Sequence, residues 1–289
     1  MTETSIVAPH EGLRAPHDQD AIAPFLRWAG GKRWLVPKIL DLLGAEPLVR
    51  YHEPFLGGGA VFFALATRGE SFLSDLNTDL IEVYCQVRDD PFGVAERLAQ
   101  YENTKDAYYA ARRDAPTDAL QRAARFVFLN HTSYNGIFRV NLRGEYNVPY
   151  GNRKYLKIPD EQSLMAVSQR LKGVKITACD FEQALSEVRY GDLVFLDPPY
   201  TVAHNNNGFV KYNQHLFSFE DQRRLAESVR GIAERGGRFI LTNAAHHSID
   251  SLFSPLGQRI EVSRRNSVGG RSAARGRAAE YVFTNLESA

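Results

Sequence analysis

The tetrapeptide Asp197-Pro198-Pro199-Tyr200 directly follows Leu193–Leu196, an apolar run that reads as a short buried strand. Ligands in open α/β sheets bind beyond the carboxyl ends of strands. Two prolines cannot continue a central strand or donate to its ladder, so they form a rigid loop whose carbonyls stay free as acceptors. Asp197 adds another acceptor, and Tyr200 an aromatic plane with a polar tip. Such a pocket suits a planar group bearing an exocyclic NH2. Asp197 and the Pro198 carbonyl would take its two hydrogens while the ring stacks on Tyr200. The plainer alternative, a strand-terminating turn with a surface tyrosine, is disfavoured by the strand that precedes it.

A second constellation is Glu53-Pro54-Phe55-Leu56-Gly57-Gly58-Gly59-Ala60. Glycines let a backbone turn sharply and approach a ligand closely. Asp75 ends the next strand, where a carboxylate can accept hydrogen bonds from ribose hydroxyls. The turn is neither the dinucleotide fingerprint G-x-G-x-x-G nor a P-loop. It fits a nucleoside-bearing ligand and, equally, a tight strand-to-helix turn without one. A third stretch, Phe25-Leu26-Arg27-Trp28-Ala29-Gly30-Gly31-Lys32, fits either a small-molecule site or a buried tryptophan at a helix start.

These residues need a scaffold. Leu48–Glu53, Ser71–Ser74, Val174–Ala178, Leu193–Leu196, Phe239–Leu241 and Glu280–Thr284 read as strands, and Val61–Arg68 and Asp79–Arg88 as helices. The alternation predicts an α/β fold with a mostly parallel sheet covered on both faces. The stretch 86–171 differs: Phe92–Tyr101, Lys105–Arg113 and Thr117–Asn130 have helical spacing. Phe138–Leu142 and Glu145–Val148 flank Arg143-Gly144 as a hairpin. The expected organisation is a polar, disordered tail at 1–24, a sheet domain from 25–85 and 172–289, and an inserted, mainly helical domain at 86–171 carrying a hairpin at 131–151.

Composition sets limits. The chain has 289 residues, 44% hydrophobic and 24% charged. Its 35 Lys+Arg and 34 Asp+Glu leave a net charge of +1, which argues against a globally basic polyanion binder but not against a local basic face. Two cysteines, Cys85 and Cys179, exclude a disulfide scaffold or a four-cysteine zinc site and fit a reducing, cytoplasmic setting. Both read as packing residues. No apolar run approaches the ~20 residues of a membrane span. The eight histidines show no metal-ligand spacing and read as solvated.

Arg27–Lys32, Glu53–Ala60, Ser74-Asp75-Leu76-Asn77 and Asp197–Tyr200 together resemble, in order, the motifs of the Dam-type DNA adenine-N6 methyltransferases. Asn135-Gly136, Arg139 and Asn141–Gly151 look like that family's DNA-reading hairpin. The resemblance covers about Phe25 to Asn285. It implies a Rossmann-like sheet, S-adenosyl-L-methionine as methyl donor, no metal, and double-stranded DNA as partner, with GATC or a closely related site as target. The enzyme would act as a monomer or a dimer, close to the nucleoid. By similarity Trp28, Lys32, Phe55, Gly57, Asp75, Asp180, Phe181 and Asp197 would serve the cofactor. Asp197, Pro198, Pro199 and Tyr200 would serve catalysis. Arg27, Tyr134, Asn135, Ile137, Arg139 and Pro149 would read DNA. His131 and Thr132 stand where members often carry a basic or aromatic residue.

The implied chemistry is physically coherent. An amine inside a duplex is out of reach, so the base must be flipped, at a cost of a few kcal/mol. Stacking on Tyr200 would return ~1–3 kcal/mol. Arginine reads guanine bidentately for ~1–3 kcal/mol of discrimination. Arg259, Arg264, Arg265, Arg271, Arg275 and Arg277 would contact phosphates. The Asn-rich stretch from Thr201 to Phe217 would close over the flipped base. Competing readings are a methyltransferase for another amine or longer site (cytosine N4, GATATC-like), a non-catalytic DNA-binding regulator, and a nicotinamide-dependent oxidoreductase. The intact tetrapeptide and the missing G-x-G-x-x-G weigh against the last two.

Overall fold

The structure is a computed structural model that describes residues 22–44, 49–65, 67, 69–141, 143–201, 217–265 and 277–286. The expected tail up to residue 21, most of the stretch after Thr201, and Arg271 and Arg275 lie outside the described residues, as do the side chains of Arg264, Arg265 and Arg277.

Among the described residues, one sheet is built from β1 (Arg50–Glu53), β2 (Glu70–Asp75), β3 (Lys175–Ala178), β4 (Leu193–Leu196), β5 (Arg238–Ala244), β6 (Gln258–Arg265) and β7 (Arg277–Thr284). Their order is β3-β2-β1-β4-β5-β7-β6. The first five are parallel, while β7 runs antiparallel to both β5 and β6. Strand order therefore reverses between β1 and β4, the kind of switch point where ligands enter such sheets. The apolar strands explain the layers. In β4, Leu193 and Phe195 join one buried cluster while Val194 and Leu196 join another, so the pleat sends alternate side chains into cores on opposite faces.

The helices are α1 (Val36–Leu43), α2 (Thr78–Asp89), α3 (Pro91–Leu98), α4 (Lys105–Arg113), α5 (Ala119–Thr132), α6 (Glu161–Leu171), α7 (Phe181–Leu185), α8 (Phe219–Glu234) and α9 (His247–Phe253). Side-chain caps start all of them but α1: Asn77 accepts from Leu80 N on α2, and Ser218 with Asp221 forms a reciprocal capping box on α8. The helices of the 86–171 stretch pack on α2 and on each other, with α5 against α2 and α3, and α6 against α2 and α3. Tyr108, Phe128 and Leu164 from these helices share one apolar cluster with Tyr51 and Leu73 from the sheet.

Two expectations change. Val61–Arg68 is not a continuous helix: Val61–Ala64 forms turns, with Phe63 N donating to Gly59 O at 3.0 Å and Leu65 N to Val61 O at 2.9 Å. The Arg170 guanidinium of α6 donates to the Phe62 and Leu65 carbonyls, acceptors that a continuing helix would use itself. Nor are all histidines solvated. His52 is buried with its Nε2 2.9 Å from Asp192, and His131 is buried with its Nε2 2.8 Å from Phe25 O. Each ring has one strong partner, which makes burial tolerable. Cys85 and Cys179 are half-buried, as expected of packing residues.

Candidate active site

Glu53 ends β1 and Asp197 follows β4, so the glycine turn and the tetrapeptide flank the switch point on adjacent strands. Asp197 is fixed from two sides. Lys32 Nζ lies 2.8 Å from Oδ1 and 3.0 Å from Oδ2, and Thr242 Oγ1 donates to Oδ1 at 2.7 Å. Lys32 is itself buried and also donates to Gly30 O at 2.9 Å. Its ammonium sits 5.0 Å from the centre of the Tyr200 ring. The Tyr200 hydroxyl donates to Glu280 Oε2 at 2.9 Å, and burial, with the charges of Asp197 and Glu280 adding to it, holds this phenol well above its usual pKa. The ring thus stays neutral and anchored at its tip. Beneath the turn, Gln222 is fully buried and donates to Thr201 Oγ1 at 3.0 Å and Pro199 O at 3.4 Å, while Asn243 Nδ2 donates to Gln222 Oε1 at 2.9 Å.

The glycine turn is shaped by Trp28. At Gly57, with φ +48°, a Cβ would fall 2.7 Å from the indole, and at Gly58 it would fall 2.8 Å from Trp28 Cβ. Only glycine tolerates both that close approach and that backbone at position 57. Asp75 clamps the turn from the end of β2, accepting from Gly57 N and from Asn77 N at 3.0 Å each. These bonds leave acceptor capacity on both oxygens. Burial raises the Asp75 carboxyl, and the backbone donors oppose that rise. Glu53 is buried, accepts from Tyr51 OH at 2.8 Å and Phe62 N at 3.2 Å, and is pushed up to about 8 by burial, with the charges of Asp197 and Asp75 contributing.

Phe55, Phe181 and Phe217 form an aromatic cluster beside the turn, with ring centres 5.5 to 5.8 Å apart. Asp180 caps α7 and pairs with Arg224 at 3.0 Å, and that guanidinium also lies 4.9 Å from the Phe181 ring centre. The Asp75 and Asp197 carboxylates and this aromatic wall fit a ligand that carries positive charge and an adenosine moiety.

Residues 28–268 match the family model of the D12 class N6 adenine-specific DNA methyltransferases. The chain is 36% identical over 275 residues to the type II methyltransferase M1.LlaDCHI of Lactococcus lactis subsp. cremoris, covering 91% of this chain and 95% of that one. It is 39% identical over 244 residues to the type II methyltransferase M.MjaIII of Methanocaldococcus jannaschii, covering 77% and 84%. It is 33% identical over 226 residues to the DNA adenine methylase of Escherichia coli, covering 76% and 80%. The chain belongs to the D12 class of N6 adenine-specific DNA methyltransferases. Its sheet is a Rossmann-like α/β sheet of order β3-β2-β1-β4-β5-β7-β6, and its reaction class is that of the family.

In this methyltransferase the hairpin starts at the end of α5. Ser133 bridges Tyr150 and Val140 bridges Tyr146, both antiparallel, so the expected turn is present with isolated bridges in place of long strands. His131 and Thr132 are the buried last turn of α5, with the Thr132 hydroxyl donating to Phe128 O at 2.6 Å. Both residues therefore pack inside the molecule. Tyr134, Asn135 and Pro149 are exposed, and Asn135 takes a left-handed φ of 57°. Ile137 is half-buried. Arg139 Nε donates to Asn147 Oδ1 across the hairpin at 2.7 Å. Arg27 is exposed and lies over Gly136, where a Cβ would come within 2.7 Å of it. Phe138 stacks on Trp28 at 5.8 Å, joining the hairpin to the glycine turn. Arg259 is engaged elsewhere, with Asp250 at 2.7 Å.

Sequence reasoning missed Glu280, Thr242, Gln222, Asn130 and the buried role of Glu53. One signal was present: Thr242 and Asn243 interrupt the apolar run of β5, and Glu280 opens that of the last strand. Polar residues at buried strand positions need partners.

Proposed function

We propose that this chain transfers the methyl group of S-adenosyl-L-methionine to the N6 amine of an adenine flipped out of double-stranded DNA, within GATC or a closely related site. The observation that carries this reading is the doubly held Asp197 at the switch point, next to the glycine turn. Its carboxylate and the Pro198 carbonyl are acceptors for the two hydrogens of one amine. Bonding both favours a pyramidal nitrogen with its lone pair free, which offsets the poor nucleophilicity of a ring-conjugated amine. Tyr200, tethered through its hydroxyl, offers the face on which the flipped base stacks. Pro199 stiffens the loop between them.

The cofactor supplies an electrophilic methyl on a sulfonium when bound. Asp75 would hold the ribose, Phe55 and Gly57 would pass the methionine part, and Asp180 and Phe181 would flank the adenine. Trp28 would shape the turn. Lys32 supports the cofactor side indirectly, by orienting Asp197. Acceleration then comes from alignment and fixed charges. The helical stretch 86–171 would act as the recognition region. Arg139 would read a guanine, Tyr134 and Asn135 would enter the duplex beside the target, Ile137 and Pro149 would touch thymine, and Arg27 would contact a further base. The test is transfer of labelled methyl groups to unmodified duplexes with and without GATC. No transfer to any duplex removes the reading, and transfer confined to another site, such as GATATC, replaces its target.

A further inference from the structure

Glu280 is a buried carboxylate at the rim of the site. It lies on the antiparallel strand β7, level with Ala244 at the carboxyl end of β5. Its Oε2 accepts the Tyr200 hydroxyl at 2.9 Å and stands 3.8 Å from Lys32 Nζ. Burying a carboxylate is costly unless it is paired and hydrogen-bonded. Two of its partners, the Tyr200 hydroxyl and Lys32, touch the pocket of Asp197.

We propose that Glu280 is a positioning residue for methyl transfer, fixing the Tyr200 ring through its hydroxyl and drawing part of the Lys32 charge away from Asp197. This rests on the reading of Asp197 as the acceptor of the target amine. Charge decides the second role. Lys32 faces Asp197 and Glu280 together, so one positive charge is shared between two carboxylates. Asp197 keeps net negative character and stays a strong acceptor. Without the Glu280 charge, Lys32 pairs with Asp197 alone and weakens it. Without the Glu280 acceptor, the Tyr200 hydroxyl loses its carboxylate partner and the stacking face is held less tightly.

The test uses the full chain with Glu280→Gln, Tyr200→Phe and the double variant. Readouts are the single-turnover methyl-transfer rate and Kd for S-adenosylmethionine and for duplex DNA. For Glu280→Gln the expected result is a rate lower by about 10- to 100-fold, as small misplacements of reacting groups produce, with both Kd values within about 2-fold of wild type. A merely structural role would weaken cofactor or DNA binding along with the rate. The double variant should be slower than either single one, since Glu280→Gln removes the charge while its amide oxygen can still accept, and Tyr200→Phe removes the hydroxyl contact. A wild-type rate in Glu280→Gln overturns the proposal. If that variant does not fold, Tyr200→Phe carries the test: a slowed rate at unchanged DNA affinity supports it, and a wild-type rate overturns it. A wild-type protein inactive on every duplex would take down the reading of Asp197 as well, whereas active wild type with unaffected variants removes only the role of Glu280.

Discussion

Asn130 holds Arg27 by both ends of its side-chain amide: Arg27 N donates to Oδ1 and Nδ2 donates to Arg27 O, each at 2.8 Å. The pair is 103 residues apart in sequence and joins the segment before the lysine to the last turn of α5. His131 adds a second tie one residue on, through Phe25 O. The end of α5 and the segment leading to Lys32 are thereby fixed to one another at Arg27, the residue proposed to read a base. Asn130→Ala would strand two backbone groups, each costing ~1–3 kcal/mol when buried without a partner. The expected outcome is a lower melting temperature and looser discrimination at the base read by Arg27. Thermal melts and methylation of single-substitution duplexes check it.

Asp197→Ala should abolish transfer while duplex binding persists. The carboxylate is 21% exposed and opens a rigid turn just after β4, so its removal leaves the strand intact. It also leaves Lys32 with a weaker set of partners. A drop of at least ~10²-fold, the scale seen when one preorganised polar contact to a transition state is removed, is expected in single-turnover assays, with DNA affinity by gel shift close to wild type. Substantial retained activity would mean that the amine contact is misassigned.

Much of this site was legible in the sequence because its residues punctuate strand ends. Prolines and glycines after apolar runs mark where chain leaves a sheet, and Asp75, Asp197 and the glycine turn stand there. What escaped depends on registers that link distant segments. Nothing near Glu280 in sequence points to Tyr200, 80 residues away. Their meeting requires β7 to return antiparallel beside β5, and a short strand does not announce its partner. Val61–Arg68 carried a helical pattern, yet Arg170, more than 100 residues on, took its carbonyls. The burial of His52 likewise depends on Asp192, which lies across the adjacent strand pair.

Arg139 must exchange partners to read a base. Its Nε bonds Asn147 Oδ1 at 2.7 Å, and Asn147 N donates to Arg139 O at 3.1 Å, so the side chain is held across the hairpin. Asn147 aims the guanidinium and limits its rotamers before DNA arrives. Arg139→Ala should relax discrimination at one guanine by about 5- to 150-fold, the equivalent of ~1–3 kcal/mol. Asn147→Ala should weaken the same discrimination less, without altering the preferred base. Competition between duplexes differing at single positions checks both, and unchanged specificity in Arg139→Ala would mean that another side chain reads that base.

Glu53 makes the stability of the cofactor side pH-dependent. Burial, with Asp197 and Asp75 adding, pushes its carboxyl from 4.5 up to about 8. Between these values the unfolded chain has released the proton and the folded one retains it. The fold therefore binds more protons than the unfolded state, and stability falls as pH rises through this window. The contribution is complete below about pH 4.5 and lost above about 8. At 1.36 kcal/mol per pH unit the full span is worth on the order of 5 kcal/mol. Glu53→Gln removes the titration and can keep both bonds, because Tyr51 OH and Phe62 N donate to the same oxygen, Oε2. Without cofactor, variant and wild type should unfold at similar denaturant concentrations near pH 5. The variant should become progressively more stable than wild type towards pH 8. Curves that stay parallel across that range would show that Glu53 ionises freely in the folded protein.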